Sequence, residues 1–141
     1  RTTFIVGIGG GIVTDITGFV ASTYMRGLRF GFVATTLLAQ VDASVGGKNG
    51  VNYEGYKNMV GTFNQPDFVL CDLSMLQTLP DREFRAGLAE IIKAGLIADR
   101  GLFELFENHP IDAFRNDQSL LNEAITRAIR VKADVVERDA S

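Results

Sequence analysis

A parallel α/β layer followed by a wholly helical segment is the fold class this sequence predicts, and three observations predict it. Short β-type runs alternate with glycine turns and helix-period segments through the first half of the chain. From Pro80 onward Gly and β-branched residues thin out, while Leu, Ala, Glu and Arg recur at helical spacing. The change of character falls near residue 79, so 1–79 and 80–141 are expected to belong to two different units, each a part of something larger.

Phe4 to Ile8 reads as a buried strand, Gly9-Gly10-Gly11 as a tight turn, and Ile12 to about Met25 as a helix with Ile12, Ile16, Phe19, Val20 and Thr23 on one side. Phe30 to Ala34 is the next strand. Thr35 to about Val45 follows as a turn into a helical segment, and Asp42 to Gly50 as a glycine-rich ligand-approaching loop. A further strand, Asp67 to Cys71, comes after the Gln65-Pro66 turn. Pro80 with Asp81 and Glu83 makes a helix start for a segment running to about Ala98. Leu102 to Glu107 and Ser119 to Glu137 are two more helices, divided at His109-Pro110 and Asn116-Asp117.

With 46% hydrophobic and 22% charged residues the chain can bury a core. It opens on Arg1 and runs straight into an apolar segment, so a missing beginning is expected. No stretch reaches the roughly 20 apolar residues of a membrane helix and none has the form of a leader peptide. A soluble, cytoplasmic protein is therefore expected. A net charge of −3 argues against non-specific nucleic-acid binding. The single Cys71 sits in an apolar run without His or Lys beside it, which reads as a structural thiol in a reducing compartment.

The glycine turn places unshielded N–H groups at the positive end of a helix dipole, a setting that suits a diphosphate. Gly7 to Ile12 is not GxGxxG, since Ile12 stands at the last glycine position, and no acidic residue follows at the ribose-reading distance of about 20 residues. A close strand–helix packing turn is the competing reading. Asp15 could accept hydrogen bonds from a sugar or simply favour the dipole.

Arg26, Arg29, Lys48, Lys57 and Lys93 each stand beside a glycine, an asparagine or an element end rather than in a solvated run. Lys48 supplies a point charge for phosphate or carboxylate. Glu90 and Lys93, three apart on one helix face, are either a surface ion pair or, in an otherwise apolar stretch, a pair that serves a ligand or metal. His109, at a helix end, reads as a partner of the helix C-terminus or a surface residue rather than a metal ligand.

The run Gly9-Gly10-Gly11-Ile12-Val13-Thr14-Asp15, Thr23-Tyr24-Met25-Arg26-Gly27, Thr35 to Asp42, Ser44-Val45-Gly46-Gly47-Lys48, Lys57-Asn58-Met59 and Arg85 to Lys93, in this order and spacing, resembles the 3-dehydroquinate synthase family. The likeness extends from about Ile5 to Leu102. It implies an internal piece of such an enzyme: part of a Rossmann-like parallel α/β nucleotide-binding layer at 1–79, then the start of an all-helical metal and substrate domain at 80–141. It further implies cyclisation of 3-deoxy-D-arabino-heptulosonate 7-phosphate to 3-dehydroquinate with loss of phosphate, in the shikimate pathway, with NAD and a divalent metal, zinc or cobalt. Gly10, Gly11, Ile12, Asp15, Thr35, Thr36, Lys57, Met75, Leu76, Gln77 and Thr78 would contact NAD. Arg26, Asp42, Lys48, Asn58 and Lys93 would hold the sugar-acid phosphate, Arg26 across a homodimer. Glu90 would be a metal ligand, completed by histidines that are not among these 141 residues, so these residues alone would be inactive.

Another sugar-phosphate cyclase, such as 2-deoxy-scyllo-inosose synthase or an epi-valiolone synthase, shares most of these motifs. Iron-dependent alcohol dehydrogenases lack the Ser44 to Lys48 segment. A non-enzymatic interaction module is the reading from a different class; it would be a monodisperse, cooperatively melting monomer.

Overall fold

The computed structural model describes residues 3–45, 47–53 and 56–140, without the side chains of 48–60, 62, 63, 139 and 140. Strand β1 (Phe4–Gly9) leads through Gly10 into α1 (Gly11–Thr23), and β2 (Arg29–Ala34) returns parallel to β1, with Phe4 opposite Arg29 and Gly9 opposite Ala34. A hairpin of β3 (Lys48–Tyr53) and β4 (Tyr56–Phe63) intervenes before β5 (Val69–Cys71), which pairs parallel to β2. The main sheet thus runs β1-β2-β5. The second half comprises α2 (Asp81–Ala98), α3 (Arg100–Asn108), α4 (Ile111–Asn116) and α5 (Gln118–Ala140). The α/β layer and the helical segment are present as predicted, although β1 is not the buried strand expected of Phe4 to Ile8: Phe4, Val6 and Ile8 are exposed.

Three further local expectations are corrected. The glycine-rich stretch around Lys48 enters a strand of an antiparallel hairpin instead of staying a loop, and Asn64 Nδ2 anchors the hairpin's end to Ser22 Oγ at the last turn of α1. The apolar side of α1 is not its buried side: Ile12 is 77% exposed, whereas Thr14, Gly18 and Ala21 are buried. Glycines in β1 let α1 approach closely: a Cβ at Gly9 would meet the Val13 side chain at 2.7 Å and one at Gly7 would meet Thr17 Cβ at 2.8 Å. The third is α4, a short helix between two expected breaks, with Pro110 before its first residue.

Two cores organise the chain. Ala21, Leu28, Phe30 and Phe32 form the first, beneath α1. The second gathers Phe84, Leu88, Ile91, Leu102, Phe114, Leu121, Ala124 and Ile125 from the four helices, and admits Leu37, Val41 and Leu76 from the first half. Gly87 allows this approach, since a Cβ there would meet Leu37 Cγ at 2.5 Å.

Asp99 ties α3 to α5. Its carboxylate caps α3 at Leu102 N, 3.0 Å away, and takes a two-pronged contact from Arg127 Nε and Nη2, both at 2.9 Å. The Arg127 hydrogen bond holds the Asp99 carboxyl below the usual carboxylate range. A depressed folded-state value means that this stabilisation is present above the unfolded value near pH 3.9 and disappears as pH falls through the folded one. Asp99→Ala removes cap and ion pair together and is expected to cost about 2 kcal/mol in urea unfolding at pH 7. Arg127→Met spares the cap, and its smaller deficit should disappear as pH falls through the depressed folded-state value of Asp99.

Candidate functional site

The carboxyl ends of β1, β2 and β5 converge on one helical turn. Residues 37–43 begin at Thr36, whose Oγ1 accepts from Ala39 N, and widen into a π-helical stretch, Ala39–Ala43, closed by Ser44 N to Ala39 O at 3.1 Å. Such bulges are rare and recur at functional sites. Gln40, fully buried within it, donates from Nε2 to the carbonyls of Ala34 at 3.1 Å and Asp72 at 3.4 Å, joining the end of β2 to the residue after β5. This turn packs on α1, α2 and α5, which makes it the hub between the sheet and the helices.

The glycine turn lies against the hub. Thr35 N donates to Gly9 O at 2.9 Å; a Cβ on Gly10 would meet Thr36 Cγ2 at 3.1 Å, and one on Gly11 would meet Ala43 Cβ at 3.2 Å. Gly10 caps α1 without a side-chain hydrogen bond to the first N–H groups of the helix. Gly10, Gly11, Thr35 and Thr36 are therefore brought together at the start of α1, a close-packed turn whose helix N-terminus is of the kind that can receive an anion. Ile12 stands exposed beside it, and Asp15 is half-buried in the second turn of α1.

Asp42, at the hub, meets a residue the sequence reading did not select. Lys132 Nζ on α5 lies 2.7 Å from Asp42 Oδ1, with both side chains about two-fifths exposed. A carboxylate and an ammonium beside such a turn can bind hydroxyl and anionic groups of one small molecule. Glu90 and Lys93 do form an ion pair on α2, at 3.7 Å, but Lys93 is 65% exposed and Glu90 35%, so the buried pair considered from the apolar context is a half-open one. Leu76 is 3% exposed in the helical core, which leaves its backbone as the part able to touch a ligand; Gln77 and Thr78 are exposed and Met75 half-buried.

Arg26 is not brought to this place. It sits beyond the far end of α1, whose 13 residues set it roughly 20 Å from the glycine turn, in a left-handed turn with Met25 at φ 50° and Arg26 at φ 69°. The side chains of Lys48, Lys57 and Asn58 lie outside the described residues, although their backbones place Lys48 at the start of β3 and the other two in β4. Among the described residues no three His, Cys, Asp or Glu side chains gather as a metal site, so Glu90 does not close one by itself. His109 Nδ1 is 2.9 Å from Leu105 O at the end of α3, the dipole-facing position expected of it. Burial pushes the Cys71 thiol up, in keeping with a structural role.

A parallel α/β layer whose strand ends meet a glycine turn is joined through the π-helical hub to the helical segment. The 3-dehydroquinate synthase N-terminal family model matches residues 1–86 and the corresponding C-terminal model residues 87–141. The chain belongs to the 3-dehydroquinate synthase family. It is 55% identical over 139 residues to the 3-dehydroquinate synthase of Nitrosospira multiformis, covering 99% of this chain and 38% of that protein. Among solved structures, it superposes on the 2-epi-5-epi-valiolone synthase of Streptomyces hygroscopicus subsp. jinggangensis, with NAD+ and Zn2+ bound, with a TM-score of 0.91 at 33% identity, over 98% of this chain and 40% of that one. A 2-deoxy-scyllo-inosose synthase complexed with carbaglucose-6-phosphate, NAD+ and Co2+ gives 0.79 at 30% identity, over 96% and 38%. The chain thus spans about two-fifths of the length of the relatives it matches. No helix among the described residues is long and apolar enough to cross a membrane.

Proposed function

We propose that these residues are the central part of a cytoplasmic, homodimeric 3-dehydroquinate synthase, which closes 3-deoxy-D-arabino-heptulosonate 7-phosphate into 3-dehydroquinate and releases phosphate in the shikimate pathway. The observation that carries the reading is the juxtaposition, around one hub, of the glycine turn, Thr36 and the Asp42–Lys132 pair. The 55% identity to a 3-dehydroquinate synthase, against 30–33% to the other two cyclases, favours this sugar phosphate over theirs.

In this reading residues 1–79 are the NAD-binding part and residues 80–141 the metal and substrate part. NAD, bound in the solved cyclases, supplies transient oxidation of a ring hydroxyl, which acidifies a neighbouring proton and makes loss of phosphate feasible. The chain's own residues bind and orient. Gly10 and Gly11 offer N–H groups to the diphosphate, with Ile12, Asp15, Thr35, Thr36, Lys57 and the 75–78 turn around the rest of the dinucleotide. Asp42, oriented by Lys132, accepts from substrate hydroxyls, while Lys48, Asn58 and Lys93 serve its carboxylate and phosphate. Glu90 contributes one ligand to a divalent cation, zinc or cobalt, whose other ligands come from beyond these residues. Arg26, held away from the hub by the length of α1, serves the neighbouring subunit. Confining a flexible sugar acid in one geometry supplies much of the rate.

The test is product formation by a polypeptide of the relatives' full length that carries these residues. Phosphate release with 3-deoxy-D-arabino-heptulosonate 7-phosphate and none with glucose 6-phosphate is expected; the reverse preference would assign it to the inosose-type cyclases. The 141 residues alone are expected neither to retain zinc on dialysis nor to form dehydroquinate, and dehydroquinate from them alone would overturn the need for further ligands.

A further inference from the structure

Three carbonyls at the end of one turn face a single guanidinium. Arg115, on α4, donates through Nη2 to the carbonyl oxygens of Leu76 and Gln77, each at 3.4 Å, and of Leu79. Its plane lies over the Phe84 ring, 4.6 Å from the centroid. Nη1 is buried without a partner among the described residues.

The turn so held is a 3-10 helix, Leu73–Leu76, entered directly from β5, and it lies at the carboxyl end of the parallel sheet where open α/β folds bind ligands. It is fastened at four points. Asp72 caps it at Ser74 N, 2.9 Å; Gln40 holds the Asp72 carbonyl; Leu76 is sunk in the helical core; and Arg115 gathers the carbonyls. Gln77 and Thr78 are what remains exposed. All three carbonyls are met by one nitrogen, Nη2, whose two hydrogens are shared among them with the closest contact at Leu79; stacking on the Phe84 ring holds the planar group in that place, a support that an ammonium on a flexible stem lacks. The same contact fixes the joint from Leu79 into α2, the helix that bears Glu90 and Lys93.

We propose that Arg115 is a positioning residue for dinucleotide binding: by pinning the carbonyls of 76, 77 and 79 it sets the turn that presents Gln77 and Thr78 to the cofactor, and with it the start of α2. The inference rests on the synthase reading of that turn.

The test compares wild type, Arg115→Met and Arg115→Lys in the full-length polypeptide, with NAD titrated calorimetrically well below the Tm of each, and with amide exchange followed along the chain. Arg115→Met is expected to weaken NAD binding about tenfold, the size of a lost charged hydrogen bond. Arg115→Lys, which keeps the charge but not the planar group stacked on Phe84, should fall between. Exchange should rise at residues 73–79 and stay unchanged in β1 and β2. Should Arg115→Met fail to fold, Arg115→Lys alone decides. Variants that melt earlier yet bind NAD as wild type does would make Arg115 a purely structural residue and overturn the proposal. Failure of the synthase reading shows separately, as wild type that binds no NAD and releases no phosphate, and it takes this inference with it.

Discussion

Glu90→Gln is expected to lower kcat/KM by about three orders of magnitude, the several kcal/mol that a cation contributes to stabilising developing charge, while leaving the Tm within a degree or two. The structure sets up the contrast. Glu90 is one-third exposed and its ion pair with Lys93 is 3.7 Å long on an open helix face. A pair of that kind is worth about 0–1 kcal/mol, so as a surface pair alone its loss would be silent in both assays. As a metal ligand it would be nearly silent in stability and severe in turnover. The measurement is steady-state phosphate release at saturating NAD in the full-length polypeptide, with bound zinc counted on the same sample. Lys93→Met supplies the control: it breaks the ion pair while retaining the carboxylate, so it should raise KM for the sugar phosphate and leave bound zinc unchanged. Near-wild-type turnover by Glu90→Gln would return the pair to the helix surface.

What could be read from the residues, and what could not, follows from how far apart the cooperating groups lie along the chain. Strand–turn–helix order and the helical second half were legible because period and punctuation are local: apolar runs, Gly9 to Gly11, Pro80 with Asp81 and Glu83. The hairpin was missed because the glycines at 46, 47 and 50 imitate a loop and the β-type residues begin only at Val51. The outward apolar side of α1 was missed because periodicity shows that two faces differ without showing which one is buried; here the buried residues are Thr14, Gly18 and Ala21. The π-helical turn has no local signature at all, since it arises where one helix must serve both Gln40 in the core and Asp42 at the surface. Arg115 and Lys132 looked like ordinary helix charges, and only tertiary approach across 36 and 90 positions reveals their partners.

Lys132→Met is expected to reduce kcat/KM about a hundredfold, the loss expected when one member of a working charge pair is removed, again with little change in Tm. Two side chains each about two-fifths exposed contribute little to folding, at most about 1 kcal/mol. Their separation of 2.7 Å on the hub nonetheless sets the direction of the Asp42 carboxylate beside the glycine turn. If Asp42 binds substrate hydroxyls in an orientation that Lys132 maintains, the two act as a unit. Asp42→Asn, Lys132→Met and the double variant should then show losses that do not add, the double being hardly worse than either single change. The split between constants separates this from a tether that merely joins α5 to the hub. A tether would lower the Tm and leave KM for the sugar phosphate alone, whereas a shared binding role raises that KM while NAD binding stays as in wild type. Additive losses in the double variant would mean that Lys132 meets the substrate independently of Asp42, and that the 2.7 Å contact gives way when substrate enters.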